Sequence, residues 1–241
     1  MMKRIEPVSP RRLARIAGVF YLLTIVAGIF AQGFVSMRLV DSSDAAATAT
    51  NILAHESLFR LGFTVYMIEM TCQIVFTVLF YELLKPVSKS ISLVAAVLGL
   101  TGCTIKSFSR VFYLGPLFVL HGAPYLGIFS REQLQALALL LLNVNDHGAA
   151  MAMAFFGFHS LLTGYLIIRS AFLPRLLGLL GVIAGAGWLT FLYPPLGMQL
   201  FLYLAPFGLI VAIAVIVWLL VFGVNEQRWM EQANEAALKH T

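Results

Sequence analysis

Six long apolar runs, parted by short polar or proline-bearing breaks, dominate the chain. They cover approximately residues 13–37, 58–84, 92–119, 147–168, 174–193 and 200–224. A hydrocarbon core of about 30 Å is crossed by about 20 helical residues, so each run predicts a membrane span. The breaks at Lys85-Pro86, Leu173-Pro174 and Pro194-Pro195 support these limits. Proline cannot continue a preceding helix and readily begins the next one. The pattern therefore predicts an all-α, polytopic membrane helical bundle with six transmembrane helices. It divides the chain into a basic N-terminus (1–12), a membrane domain (13–224) and a polar C-terminal tail (225–241).

The two longer connections carry their own signals. In the Ala-rich stretch 38–57, Ser42 or Ser43 is placed to cap a short helix through Asn51 to His55. In 120–146, Ser130 followed three residues later by Gln133 is a capping-box signature. The helix it opens runs through Leu137 to Leu142 and is too short to span. It is expected at the outer interface or folded back onto the bundle, with Asn143 to Gly148 breaking it from the fourth span. Beyond Phe222 a short surface helix is expected, with Trp229 at the headgroups.

Composition excludes the soluble classes. Of 241 residues, 60% are hydrophobic and 11% charged, against roughly 45–50% and about 25% in soluble domains. With 2 Cys, both inside apolar runs, the chain is no disulfide scaffold. The first apolar run, Leu13 to Met37, is too long for a signal-peptide core of roughly 7–15 residues. It reads as a retained span.

The net charge is +5, but its placement argues against nucleic acid. With the N-terminus inside, the inner segments carry 11 Lys and Arg (Lys3, Arg4, Arg11, Arg12, Arg15, Lys85, Lys89, Arg169, Arg175, Arg228 and Lys239). The outer ones carry 3: Arg38, Arg60 and Arg131. This bias predicts that both termini are cytoplasmic.

Within the spans, Ala27-x-x-x-Ala31 and Gly181-x-x-x-Gly185, extended by Gly178 and Ala184, suit close helix packing, within one chain or between two. Charged residues inside a membrane are costly and mark functional sites. Tyr66, Glu69, Gln73 and Thr77 share one face of the second span, and Gly99, Cys103, Lys106 and Arg110 one face of the third. His159 and Thr163 share a face of the fourth. Counted along these spans, Glu69, Lys106 and His159 come to similar depth. Two main readings follow: a structural Glu69–Lys106 ion pair, or a polar pocket of Glu69, Gln73, Lys106, Arg110 and His159 that binds a ligand or relays protons. A third has Lys106 or Arg110 snorkelling outward.

Specific chemistry is absent. Of the five histidines (His55, His121, His147, His159 and His240), only His159 is well inside a span, so a bis-histidine haem is not expected. His55-Glu56 lacks the second histidine of a zinc motif. No nucleophile-elbow, Walker or dinucleotide glycine pattern appears. No cofactor, metal or catalytic residue is assigned.

Several segments together carry a family resemblance. They are Ala14-Arg15-Ile16-Ala17-Gly18 with Tyr21-Leu22-Leu23-Thr24, Asn51-Ile52-Leu53, Leu58-Phe59-Arg60-Leu61-Gly62, and Tyr81-Glu82-Leu83-Leu84-Lys85-Pro86-Val87. Further on are Ser130-Arg131-Glu132-Gln133-Leu134-Gln135-Ala136-Leu137-Ala138, Phe156-Gly157-Phe158-His159 and Phe172-Leu173-Pro174-Arg175-Leu176-Leu177-Gly178. Over roughly 11–230 the chain resembles the bacterial membrane family catalogued as domain of unknown function 4386. The resemblance implies a six-helix protein of the bacterial inner membrane and supplies no activity. It brings His159, Arg60 and the Arg175 turn into a family-like pattern. Lys106 departs from it, since an uncharged polar residue is expected there.

The preferred functional expectation is a membrane sensor or small carrier that binds a small ligand in an intramembrane polar pocket. The alternative is a non-catalytic scaffold or accessory subunit. An enzyme acting on lipid or quinone is weaker still. Membrane lipids, a second copy of the chain or another membrane protein are the expected partners. The charge bias makes a direct prediction. A reporter that folds only in the cytoplasm should fluoresce when fused after Thr241 and stay dark when inserted at Ser42–Ser43; the reverse pattern would invert the topology.

Overall fold

The computed structural model describes residues 9–238; Lys3, Arg4, Lys239 and His240 lie outside them. The described chain is helical, without strands. Helix α1 (Pro10–Leu39) is capped by Ser9, whose Oγ accepts from the Arg12 amide at 3.3 Å. It widens to π-helix over Ile29–Ser36. Helix α2 (Ala45–Ala54) lies at the first long connection, capped by Asp44 rather than by Ser42 or Ser43; Asp44 Oδ1 accepts from the Ala47 amide at 2.9 Å. Ser43 bonds Asp41 instead, through both hydroxyl and amide, and these bonds hold the Asp41 carboxyl below the usual carboxylate range.

Helices α3 (Glu56–Leu84) and α4 (Lys89–Leu120) follow, α4 running unbroken through Pro116. Helix α5 (Arg131–Arg169) is 39 residues long. The expected capping box at Ser130 and Gln133 forms, but the expected break at Asn143–Gly148 does not. Asn145 is buried and accepts a hydrogen bond from Arg110 on α4. At Gly148 a Cβ would lie 2.7 Å from Ser109 Cβ. Both residues serve contact with α4, and that packing overrides their weak helix propensity. The separate interfacial helix thus merges with the fourth span.

Helix α6 (Arg175–Leu192) ends in a tighter 3₁₀ turn, and α7 (Pro194–Val221) begins at the proline pair instead of at residue 200. Prolines at the first helical positions lack only an amide that the helix leaves unused. Six helices, α1, α3, α4, α5, α6 and α7, are long and apolar enough to cross a membrane.

Each of these six packs against its neighbours in sequence, and α7 returns to α1, closing an antiparallel ring. One apolar cluster fills the end where the described residues begin and end, around Ala14, Phe80, Leu83, Leu166 and Leu219. A second fills the opposite end, around Val35, Ile52, Phe59, Tyr113 and Leu142. Large apolar side chains such as Val26, Val97, Leu176 and Ile210 face outward, as lipid contact requires. The final helix α8 (Glu226–Leu238) folds back on the terminal end. Trp229 is half-buried against the first cluster and its indole N–H donates to the Leu83 carbonyl at 2.9 Å. It therefore also caps α3.

The α5–α6 contact brings backbone against backbone, and it is made within the chain. A Cβ at Gly178 would lie 2.6 Å from the Gly164 carbonyl oxygen, and one at Gly185 would lie 2.8 Å from that of Gly157. Backbone cannot retreat as a flexible side chain does. Gly178→Val should therefore cost about 1–3 kcal/mol or more and lower the thermal midpoint in detergent by several degrees. Gly33→Ala, where nothing lies within 4 Å, should leave the midpoint unmoved. Equal behaviour of the two would refute the close-packing account.

Candidate functional site

Between the two apolar clusters the ring is polar. Tyr66, Glu69, Gln73 and Thr77 follow one stripe of α3, and the ring closes on that stripe, so all four are buried. Glu69 stands at the middle of α3 and meets Lys106 of α4, with Nζ to Oε1 at 2.6 Å. The side chains are 7% and 14% exposed respectively. Away from water a lone charge is costly, and each ion offsets much of the other's desolvation. Helix α1 presents Gly28 here, where a Cβ would lie 3.1 Å from Glu69 Oε1. The absent side chain is what lets α1 approach the carboxylate.

One turn further along α4, toward the end opposite the termini, Arg110 is 2% exposed. Its guanidinium carbon lies 3.6 Å from the centroid of the Tyr66 ring, a cation–π contact in a site removed from water. Its Nη1 donates to Asn145 Oδ1 at 3.0 Å, and Asn145 Nδ2 donates in turn to Asp146 Oδ1 at 2.9 Å. The Tyr66 hydroxyl donates to Gln32 Oε1 at 2.6 Å and lies 3.0 Å from the Ser36 hydroxyl, from which it accepts. Gln32 and Ser36 belong to the π-helical segment. Residues four apart share one face of a helix, so both reach one oxygen. Tyr113 stacks on Phe59 at 4.4 Å and meets Tyr66 edge-on at 5.3 Å.

The network is incomplete. Glu69 Oε2, Arg110 Nε and the Tyr113 hydroxyl are buried without a hydrogen-bond partner. The Tyr113 hydroxyl approaches Ser36 but lies outside hydrogen-bond geometry with it. Arg110 has no carboxylate within ion-pair distance among the described residues. Each unmatched buried group costs about 1–3 kcal/mol, and more when charged.

His159 does not join this cluster. Its Nδ1 lies 2.8 Å from the Ala95 carbonyl oxygen, so Nδ1 carries the proton and donates. Ala95 precedes Lys106 by 11 residues on α4, about 16 Å at 1.5 Å per residue. Gly99 makes room for the imidazole, since a Cβ there would lie 2.8 Å from Nδ1. Depth counted along separate spans aligned His159 with Lys106; the register of α5 on α4 places it about two to three turns nearer the termini. Gln73, one turn from Glu69, is buried and makes no side-chain hydrogen bond among the described residues. The structure thus unites Glu69, Lys106 and Arg110 in neighbouring turns and leaves His159 apart. It adds Gln32, Ser36, Tyr66, Tyr113 and Asn145. Tyr113, three residues after Arg110, was findable from helical spacing; Asn145 was hidden because it reads as a helix breaker.

Clefts open elsewhere. One of about 350 Å³ lies at the end opposite the termini, lined by Arg60, Leu114, Leu117, Phe118, His121 and Ala123. Beside it Glu56 accepts from Arg60 Nε at 2.7 Å and pairs with His121 Nε2 at 3.0 Å. Another, of about 420 Å³, lies at the terminal end between Arg11, Trp218 and Glu226. No group of three His, Cys, Asp or Glu among the described residues is arranged to hold a metal ion.

The ion pair generates a stability prediction. Lys106→Met leaves the Glu69 carboxylate buried and uncompensated and should cost on the order of 3 kcal/mol. Adding Glu69→Gln should recover most of that loss. Thermal unfolding of the three variants in detergent measures the coupling, and strict additivity would show that the pair contributes nothing.

The family model described as Domain of unknown function (DUF4386) matches residues 16–223. No curated protein and no solved structure matches the chain.

Proposed function

The chain belongs to the DUF4386 family, a membership that assigns no activity, and we propose that it is a ligand-binding membrane protein, a sensor or small carrier. The ligand is a small polar molecule held between α3 and α4 by Glu69, Lys106 and Arg110. Tyr66, Tyr113 and Asn145 shape the site, and His159 anchors α5 to α4 without touching the ligand. The observation that carries this reading is the set of three buried, unpartnered polar atoms on Glu69, Arg110 and Tyr113. A cluster built only to lock helices together gains nothing from unmatched donors and acceptors in a medium that supplies none. A site awaiting a ligand needs them.

The bias of basic residues and the family resemblance support a bacterial inner membrane setting with both termini cytoplasmic. The rival reading, a scaffold or accessory subunit, draws support from the clefts, neither of which is lined by Glu69, Lys106 or Arg110. It predicts that mutation of the cluster harms stability alone and that a partner co-purifies.

Native mass spectrometry of protein released from lipid nanodiscs, wild type beside Glu69→Gln, separates the two. A discrete bound mass that the variant loses, with its fold intact, is the expected result. Bare protein in both, equally folded, would overturn the ligand-binding reading.

A further inference from the structure

The chemistry of the cluster narrows the ligand. Counting its ionised groups, Glu69 and Lys106 cancel, which leaves the guanidinium of Arg110 without a matching buried charge. Arginine keeps its proton in proteins, so it cannot shed the imbalance as a carboxylate can. Asp146 is exposed; its carboxylate is attracted to Arg110 at a distance, but hydrogen bonds link the two only through the Asn145 amide, with no direct ion pair. A guanidinium offers two edges for bidentate binding of oxygen anions. In Arg110 the Nη1 is held by Asn145 and one face lies on Tyr66. The opposite edge, Nε with Nη2, has no acceptor among the described residues. The guanidinium is thus held firmly while one complete side-on fork stays free.

Resting on the ligand-binding reading above, we infer that the ligand carries an anionic oxygen group, a carboxylate or phosphate. The Nε–Nη2 edge of Arg110 receives it, and the unpartnered Tyr113 hydroxyl is the second donor. Two sources supply such a group: a free small anion or an anionic lipid headgroup. Gln32, which bonds Tyr66, is exposed on the outer surface of α1, so the network extends to the lipid-facing side of the ring.

The test uses the full chain in nanodiscs of phosphatidylcholine, with and without phosphatidylglycerol. Thermal midpoints are read with potassium phosphate, potassium succinate or, at equal ionic strength, potassium chloride. A ligand that binds only the folded state raises the midpoint. A rise of a few degrees is expected in wild type. If phosphate or succinate produces it in neutral lipid, the source is a free anion. If phosphatidylglycerol alone produces it, the source is a headgroup.

Arg110→Lys keeps the charge but removes the fork and should abolish the rise. Tyr113→Phe deletes a hydroxyl that makes no hydrogen bond, so its midpoint in chloride and neutral lipid should match or exceed wild type while the anion-dependent rise falls at least by half. This second variant separates ligand contact from folding. No rise with any probe, or an equal rise in both variants, overturns the inference. A bound mass lost in Glu69→Gln without any anion effect would sink the anion assignment alone; bare protein together with no anion effect would sink both readings.

Discussion

In hydrocarbon an unmatched N–H or C=O has no water to turn to, and each costs several kcal/mol. Helices satisfy the backbone internally, interrupted here only where Pro116 and Pro206 supply no amide hydrogen, and six spans are arranged as a closed ring. Side chains obey the same constraint. Hydroxyls within the spans turn back on their own helices, as Thr71 does to the Met67 carbonyl and Thr101 to that of Val97. Groups that cannot do so, the long cationic chains and the carboxylate, are drawn to the interior of the ring and to each other.

Without a hydrophobic drive between helices in lipid, close contact has to come from van der Waals packing and shape. Glycine supplies it at two seams with different consequences. Along α5 and α6, Gly157, Gly164, Gly178 and Gly185 let backbone touch backbone. Along α1, Gly28 clears space beside Glu69, and Gly62 on α3 faces Val35 and the Tyr113 hydroxyl. The first seam stiffens one side of the ring. The second brings α1 against the polar stripe and lets its π-helical segment hold Tyr66.

The two polar centres of the interior play opposite parts. His159 is engaged through Nδ1, whose N–H donates to the Ala95 carbonyl, and its ring is fitted against Gly99. It reads as a rivet between α4 and α5. The Glu69–Lys106–Arg110 region holds more donors than acceptors and leaves some of each unmatched. That contrast, between a satisfied polar contact and an unsatisfied one in the same bundle, separates a packing residue from a binding one.

Much of this was legible in the order of residues alone. The length and apolarity of the runs required six spans, because a helix of about 20 residues is what crosses about 30 Å. The helical offsets of Tyr66, Glu69 and Gln73, and of Lys106 and Arg110, assigned each set to one face, because that periodicity is a property of the helix itself. What one helix's periodicity cannot contain is its register against another. The pairing of Glu69 with Lys106, the distance of His159 from both, and the continuity of α5 through Asn145 and Gly148 were decided only by tertiary packing. Side-chain fit between neighbouring helices sets how far each slides along the next, and no local pattern records that sliding.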